Sequence, residues 1–171
     1  QAGILTAKNI IDASNAQRNT RIGTNAGNSF DGTTATDNTL IGYDAGTAIT
    51  TGDKNVAVGS YALDANTTAS YNIAVGYNAL GATTTGGINV AVGDEAMKLN
   101  TTGVENVAVG SYALDANTTA SQNTAVGAYG LSANTTGTAN VAVGYKALLL
   151  NTTTSNNTAI GWNALEANTA S

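Results

Sequence analysis

The chain has 171 residues, among them 20 Gly, only 5% aromatics and 10% charged residues, with neither Cys nor His and a net charge of −5. That composition excludes disulfides, thiolate metal sites and the usual nucleophile–base pairs, and six scattered Lys and Arg cannot form the cationic surface that phosphate neutralisation needs. Small side chains limit any core to a thin one, and no apolar run approaches the ~18 residues of a membrane span.

In chain order, Gln1 to Ile11 lacks the basic start and long apolar stretch of a signal peptide, and residues 1–18 read as an N-terminal junction or divergent cap. A short unit, Asn19-Thr20-Arg21-Ile22-Gly23, then opens an irregular first coil over 19–37, with a two-residue insertion around Phe30 to Thr36. From Asn38 to the end the chain is periodic. The unit Asn-x-Ala-Val/Ile-Gly begins at Asn55, Asn72, Asn89, Asn106, Asn123, Asn140 and Asn157, with the variant Asn-Thr-Leu-Ile-Gly at Asn38, always 17 residues apart. Residues 38–171 are therefore expected to form eight regular coils. The stretches 55–70 and 106–121 are identical, consistent with duplication of a three-coil block.

A period kept through eight coils without a slipped residue is the mark of stacked strands, because one slip would invert every later side chain. The fold expected is all-β, a parallel β-solenoid. In each coil the alternation Val56-Ala57-Val58 before Gly59 predicts a strand near 55–58, and Leu63 with Ala65 predicts a second near 61–65. The larger residues are assigned to the coil core: Val56, Val58 and Leu63, Val107, Val109 and Leu114, Val141, Val143 and Leu148.

The intervening alanines, Ala57, Ala74, Ala91, Ala108, Ala125, Ala142 and Ala159, never become polar. They are assigned to a chain–chain interface, so Ala108→Asp is expected to break an assembly. Gly59, Gly76, Gly93, Gly110, Gly127 and Gly144 mark one corner, where φ > 0 suits glycine. Asn66, Asn100, Asn117, Asn134 and Asn151 mark the opposite corner, where stacked amides can bond from coil to coil. Their Asn-Thr-Thr context also matches a glycosylation sequon, but recurrence at one fixed position favours the ladder.

The units Asn55-Val56-Ala57-Val58-Gly59 and Asn156-Asn157-Thr158-Ala159-Ile160-Gly161 resemble the repeat of trimeric autotransporter adhesin heads. The longer unit from Asn123 to Thr136 is similar to repeats of bacteriophage tail fibres. The resemblance implies a left-handed β-roll, a homotrimer of identical chains, and a structural attachment fibre on a virion tail that projects a tip toward a host glycan or protein receptor. A bacterial cell-surface adhesin head is the alternative owner. The 17-residue coil departs from the adhesin heads, whose coils are usually shorter.

No catalytic residue, metal site or cofactor is read from the sequence, and neither nucleic acid nor membrane insertion is expected. Asp94, Glu95 and Glu105 form the most acidic local group and read as a solvated corner. Adjacent Thr pairs such as Thr67-Thr68 and Thr101-Thr102 raise an ice-binding solenoid as the competing class. The aromatics Tyr43, Tyr77, Tyr145 and Trp162 share one column, with Tyr61, Tyr112 and Tyr129 in the next. Tyr145 and Trp162 are the candidates for glycan contact; the alternative for all seven is packing at coil corners or across a chain interface.

Overall fold

The computed structural model describes residues 17–30 and 34–168. Apart from Gln17 and Arg18, the expected N-terminal junction lies outside the described residues, as does the middle of the insertion in the first coil. Among the described residues the chain is an all-β parallel solenoid without a helix. Nine three-residue strands form one sheet in sequence order: β1 (Thr20–Ile22), β2 (Thr39–Ile41), β3 (Val56–Val58), β4 (Ile73–Val75), β5 (Val90–Val92), β6 (Val107–Val109), β7 (Thr124–Val126), β8 (Val141–Val143) and β9 (Thr158–Ile160). Every neighbouring pair is parallel, and from β2 onward each residue pairs with the one 17 positions later, as in Val56↔Ile73 and Ala57↔Ala74. At about 4.8 Å per strand the stack of nine is on the order of 40 Å long.

The two sides of this sheet are reversed relative to the sequence expectation. Ala57, Ala74, Ala91, Ala108, Ala125 and Ala142 are fully buried inside their own chain, and Ala159 nearly so. They are not a surface that a second chain could touch. Val56, Val58, Val107, Val141 and Val143 are only half-buried and Val109 is 36% exposed, so these valines face away from the coil interior.

The reason is the volume of the interior. Alternation separates Val56 and Val58 from Ala57, but leaves open which set points inward. Opposite the strand lies Leu63, fully buried together with Ala62. Across from a leucine the strand has room for a methyl group. The same logic appears inverted in the coil of β2, where Leu40 takes the Ala57 position and Gly46 the Leu63 position, both columns meeting so closely that a Cβ on Gly46 would come within 2.8 Å of Leu40 Cδ2.

The second expected strand is also absent. Residues 61–65 form tight turns in which Tyr61 and Leu63 are left-handed, with φ of 60° and 54°. Ala62 N–H bonds Gly59 O at 3.4 Å and Asn66 N–H bonds Leu63 O at 3.1 Å, closing two successive turns. Because φ changes sign between neighbours, strict in–out alternation is lost, and Ala62 and Leu63 both point inward. Left-handed backbone costs an L-residue about 1–2 kcal/mol. Here it is offset by hydrogen bonds to both adjacent coils: Tyr61 N–H to Tyr43 O at 2.9 Å and Leu63 N–H to Ala79 O at 3.1 Å.

Two asparagine ladders hold the coils in register. Asn38, Asn55, Asn72 and their counterparts through Asn140 are fully buried. Asn55 donates its backbone N–H (2.9 Å) and its Nδ2 (3.1 Å) to Asn38 Oδ1, while the same Nδ2 reaches Ala69 O at 2.9 Å. The second ladder runs through the opposite corner: Asn117 Nδ2 donates to Asn100 Oδ1 (3.0 Å), Asn134 to Asn117 and Asn151 to Asn134, both at 3.4 Å. Asn66 is cut off from it by Thr83 and instead closes its own turn through Ala69. At the remaining corner, Gly59 has φ 137° and a Cβ there would lie 2.3 Å from Gly76 O, so coils could not stack at this spacing with any other residue.

Candidate functional site

With the alanines inside, the outer face of the sheet is a continuous apolar feature of the described residues. One outward column reads Ile22, Ile41, Val58, Val75, Val92, Val109, Val126, Val143 and Ile160, without a polar residue in nine strands. The other reads Thr20, Thr39, Val56, Ile73, Val90, Val107, Thr124, Val141 and Thr158. Neither holds a charge. A strip about 40 Å long and about 10 Å wide, the span of three strand residues, covers on the order of 400 Å². That footprint lies within the range of about 300–600 Å² for the largest apolar patch on a typical monomer, a feature that is often functional; what sets this one apart is its repetition in every coil.

Immediately after each strand stands the aromatic corner. Tyr145 and Trp162 are brought together, with ring centroids 6.4 Å apart and planes 15° from parallel, and Trp162 is 74% exposed. They belong to a longer row. Tyr112 stacks on Tyr129 at 5.2 Å and 4°, and Tyr129 meets Tyr145 edge-on at 6.1 Å. A second row, Tyr43, Tyr61 and Tyr77, is joined by edge-on contacts of 5.5 and 5.9 Å. Lys98 Nζ lies 5.4 Å from the Tyr112 ring centre and Lys146 Nζ 5.3 Å from that of Tyr145.

Asp94 and Glu95 interrupt the aromatic rows. Glu95 pairs with Lys98, whose ammonium is also 3.7 Å from Asp115, and hydrogen bonding to Glu95 raises the Lys98 pKa. The Tyr112 phenol is shifted upward, first by the Glu95 charge and then by Asp94. Glu105 stands at the opposite corner, where Gln122 Nε2 donates to it at 3.1 Å. The acidic trio is thus divided between the two ends of the strand. Among the described residues no group of three or more acidic side chains is placed to hold a metal ion.

The threonine columns divide in function. Thr67, Thr84, Thr101, Thr118 and Thr135 each donate their hydroxyl to the carbonyl of the equivalent Thr one coil on, at 3.0 to 3.4 Å. Thr68, Thr85, Thr102, Thr119, Thr136 and Thr153 form the exposed column. The sequon asparagines Asn66, Asn100, Asn117, Asn134 and Asn151 are fully buried, which removes them from any glycosylating enzyme in the folded chain.

Sequence reasoning used Asn55 and its counterparts as markers of the period and missed their role as the principal ladder. A signal was present: Asn55 and Ala57 share the parity of a strand and scarcely vary, whereas the Val56 column admits Thr124 and Thr158. Invariance with small or amide side chains marks the packed side, and Thr replacement marks the open one. No family model matches the chain, and no match is found among curated proteins or solved structures.

Proposed function

We propose that this chain is a shaft segment of an attachment fibre: a left-handed roll assembled as a parallel homotrimer that projects a receptor-binding tip from a virion tail. The observation that carries the reading is the uncharged Val/Ile face running the length of nine strands. Chains arranged around an axis parallel to the coil stack bury this face in every coil at once. Each added coil then lengthens the rod and extends the same contact. The number three comes from the resemblance to tail fibres and autotransporter heads, and the head of a bacterial surface adhesin would use the same rod. Uninterrupted 17-residue spacing supports a spacer, since receptor sites are usually built on loops that break a scaffold's pattern. No catalytic step is assigned.

Light scattering on the purified chain tests this directly. The expected mass is three chains, and Val109→Lys, which sets a charge at the assembly axis in every copy, is expected to dissociate it. A wild-type chain that stays single at micromolar concentration overturns the proposal. The exposed Thr68-type column favours one competing reading, an ice-binding rod, which thermal hysteresis in the same preparation would support.

A further inference from the structure

We infer that the two corners flanking the valine face form a heterologous seam, the aromatic corner of one copy packing against the opposite corner of the next copy of this chain. The inference rests on the oligomer proposed above and names which further residues meet. Rotation about an axis parallel to the stack carries strand direction round with the face. The corner after each strand in one chain therefore meets the corner before each strand in its neighbour, whatever the number of chains.

Both corners carry large aromatic or aliphatic side chains that the single chain leaves partly open. After the strand stand the Tyr112–Tyr129–Tyr145–Trp162 row and the Tyr43–Tyr61–Tyr77 row. Before it stand Tyr71, Ile88 and Val104, exposed by 55%, 58% and 37%. Ile88 is the most telling of these. It is β-branched, has a left-handed φ of 60°, and sits where other coils place Lys54, Glu105, Gln122 or Asn156. A β-branched residue is uncommon in that region; the backbone is held by Ile88 N–H to Ser70 O at 3.1 Å, the same kind of bond that holds Tyr61, while the side chain stays largely exposed. Its own chain buries it poorly, and a neighbouring copy supplies what is missing.

Area points the same way. A stable interface takes about 800 Å² from each partner, and the valine strip offers on the order of 400 Å². The flanking corners are continuous with the strip and make up the remainder. Among the rings, Tyr112 and Tyr129 cover each other and Lys98 and Lys146 lie over Tyr112 and Tyr145, which leaves Trp162 the most open of the row.

The chain contains no Cys, so introduced thiols report cleanly. Tyr129→Cys is combined in turn with Glu105→Cys, Gln122→Cys or Ala139→Cys, three heights of the facing corner about 4.8 Å apart. The four residue steps from Asn123 to Gly127 span on the order of 13 Å in extended chain, beyond the ~7 Å reach of a disulfide between Cα atoms, so a bond within one chain is excluded. After copper–phenanthroline oxidation, at least one double variant is expected to run on a denaturing gel as covalent oligomers, while Tyr129→Cys alone runs as a single chain. Oligomers of native mass that form no interchain disulfide in any double variant overturn the seam, as does efficient linking of Tyr129→Cys to itself. A chain that is monomeric by light scattering fails at the assembly itself, which separates the two failures. If Tyr129→Cys alters the native mass, Lys146→Cys replaces it at the same corner one coil along.

Discussion

The coil of β2 and the coil of β3 enclose the same interior with large and small residues exchanged. In the first, Leu40 points inward from the strand and Gly46 faces it; in the second, Ala57 points inward and Leu63 faces it. The neighbouring Asn66 position is likewise filled by buried Ile49 in the earlier coil. Gly46 and Leu63 have nearly the same left-handed φ, 58° and 54°, so the backbone is unchanged and only volume has moved. The coil has a fixed width, and its filling is judged as a sum across the strand and the returning turn. That is why outward valine and inward alanine coexist on a three-residue strand.

The comparison is broken most severely by charging the packed side. Ala108→Asp is expected to cost about 4 kcal/mol or more, the range of a buried, unpaired charge. It acts on the fold of the single chain, so loss of β-sheet circular dichroism should accompany any loss of assembly. Retained fold with dissociated chains would return the alanines to an interface role.

A double-mutant cycle sharpens the exchange itself. Leu40→Ala leaves a void facing Gly46 and is expected to cost about 2–5 kcal/mol in urea unfolding. Gly46→Leu alone overpacks by about 1–3 kcal/mol. Together they reproduce the Ala57–Leu63 pair of the β3 coil with Ile49 kept at the Asn66 position, its Cδ1 shifting at the free end of its side chain. Favourable coupling above about 1 kcal/mol is expected; strict additivity would show that the two positions do not share one space.

The smallest effect separates the first coil from the regular ones by pH. Arg18 donates two hydrogen bonds of 2.6 Å to Asp37, and this pairing holds the carboxyl below its ordinary 3.8. A depressed folded-state value means that the contribution is present above the ordinary range and is lost as pH falls through the folded value. The pair is exposed, so only local fraying is expected. The protection of the Thr20 amide against hydrogen exchange, measured relative to the free-peptide rate at the same pH, should fall below about pH 4, since this amide bonds Asn38 O in the coil that the pair closes, while the Val107 amide keeps its protection. Equal loss at both sites would contradict a local role.

Much of this architecture is legible in the sequence. A constant 17-residue spacing demands stacked parallel coils, the Gly59 column marks a corner, and the Asn100–Asn151 column marks a ladder. The Leu63 column reads as interior because a large apolar residue recurs opposite the strand. The second strand was misread because Leu63 and Ala65 mimic period-2 alternation. Left-handed φ at Tyr61 and Leu63 carries no signature in tyrosine or leucine, so composition could not announce it.

By itself, then, the sequence determined the period, the parallel stacking and the positions of the corners, because each is a property of spacing along the chain. Only the tertiary structure decided which side of the strand is inside, since that depends on the width left between Ala57 and Leu63, a distance set by packing across the coil rather than by order along it. The same decision moved the free apolar face from the alanines to the valines, and the candidate interface moved with it.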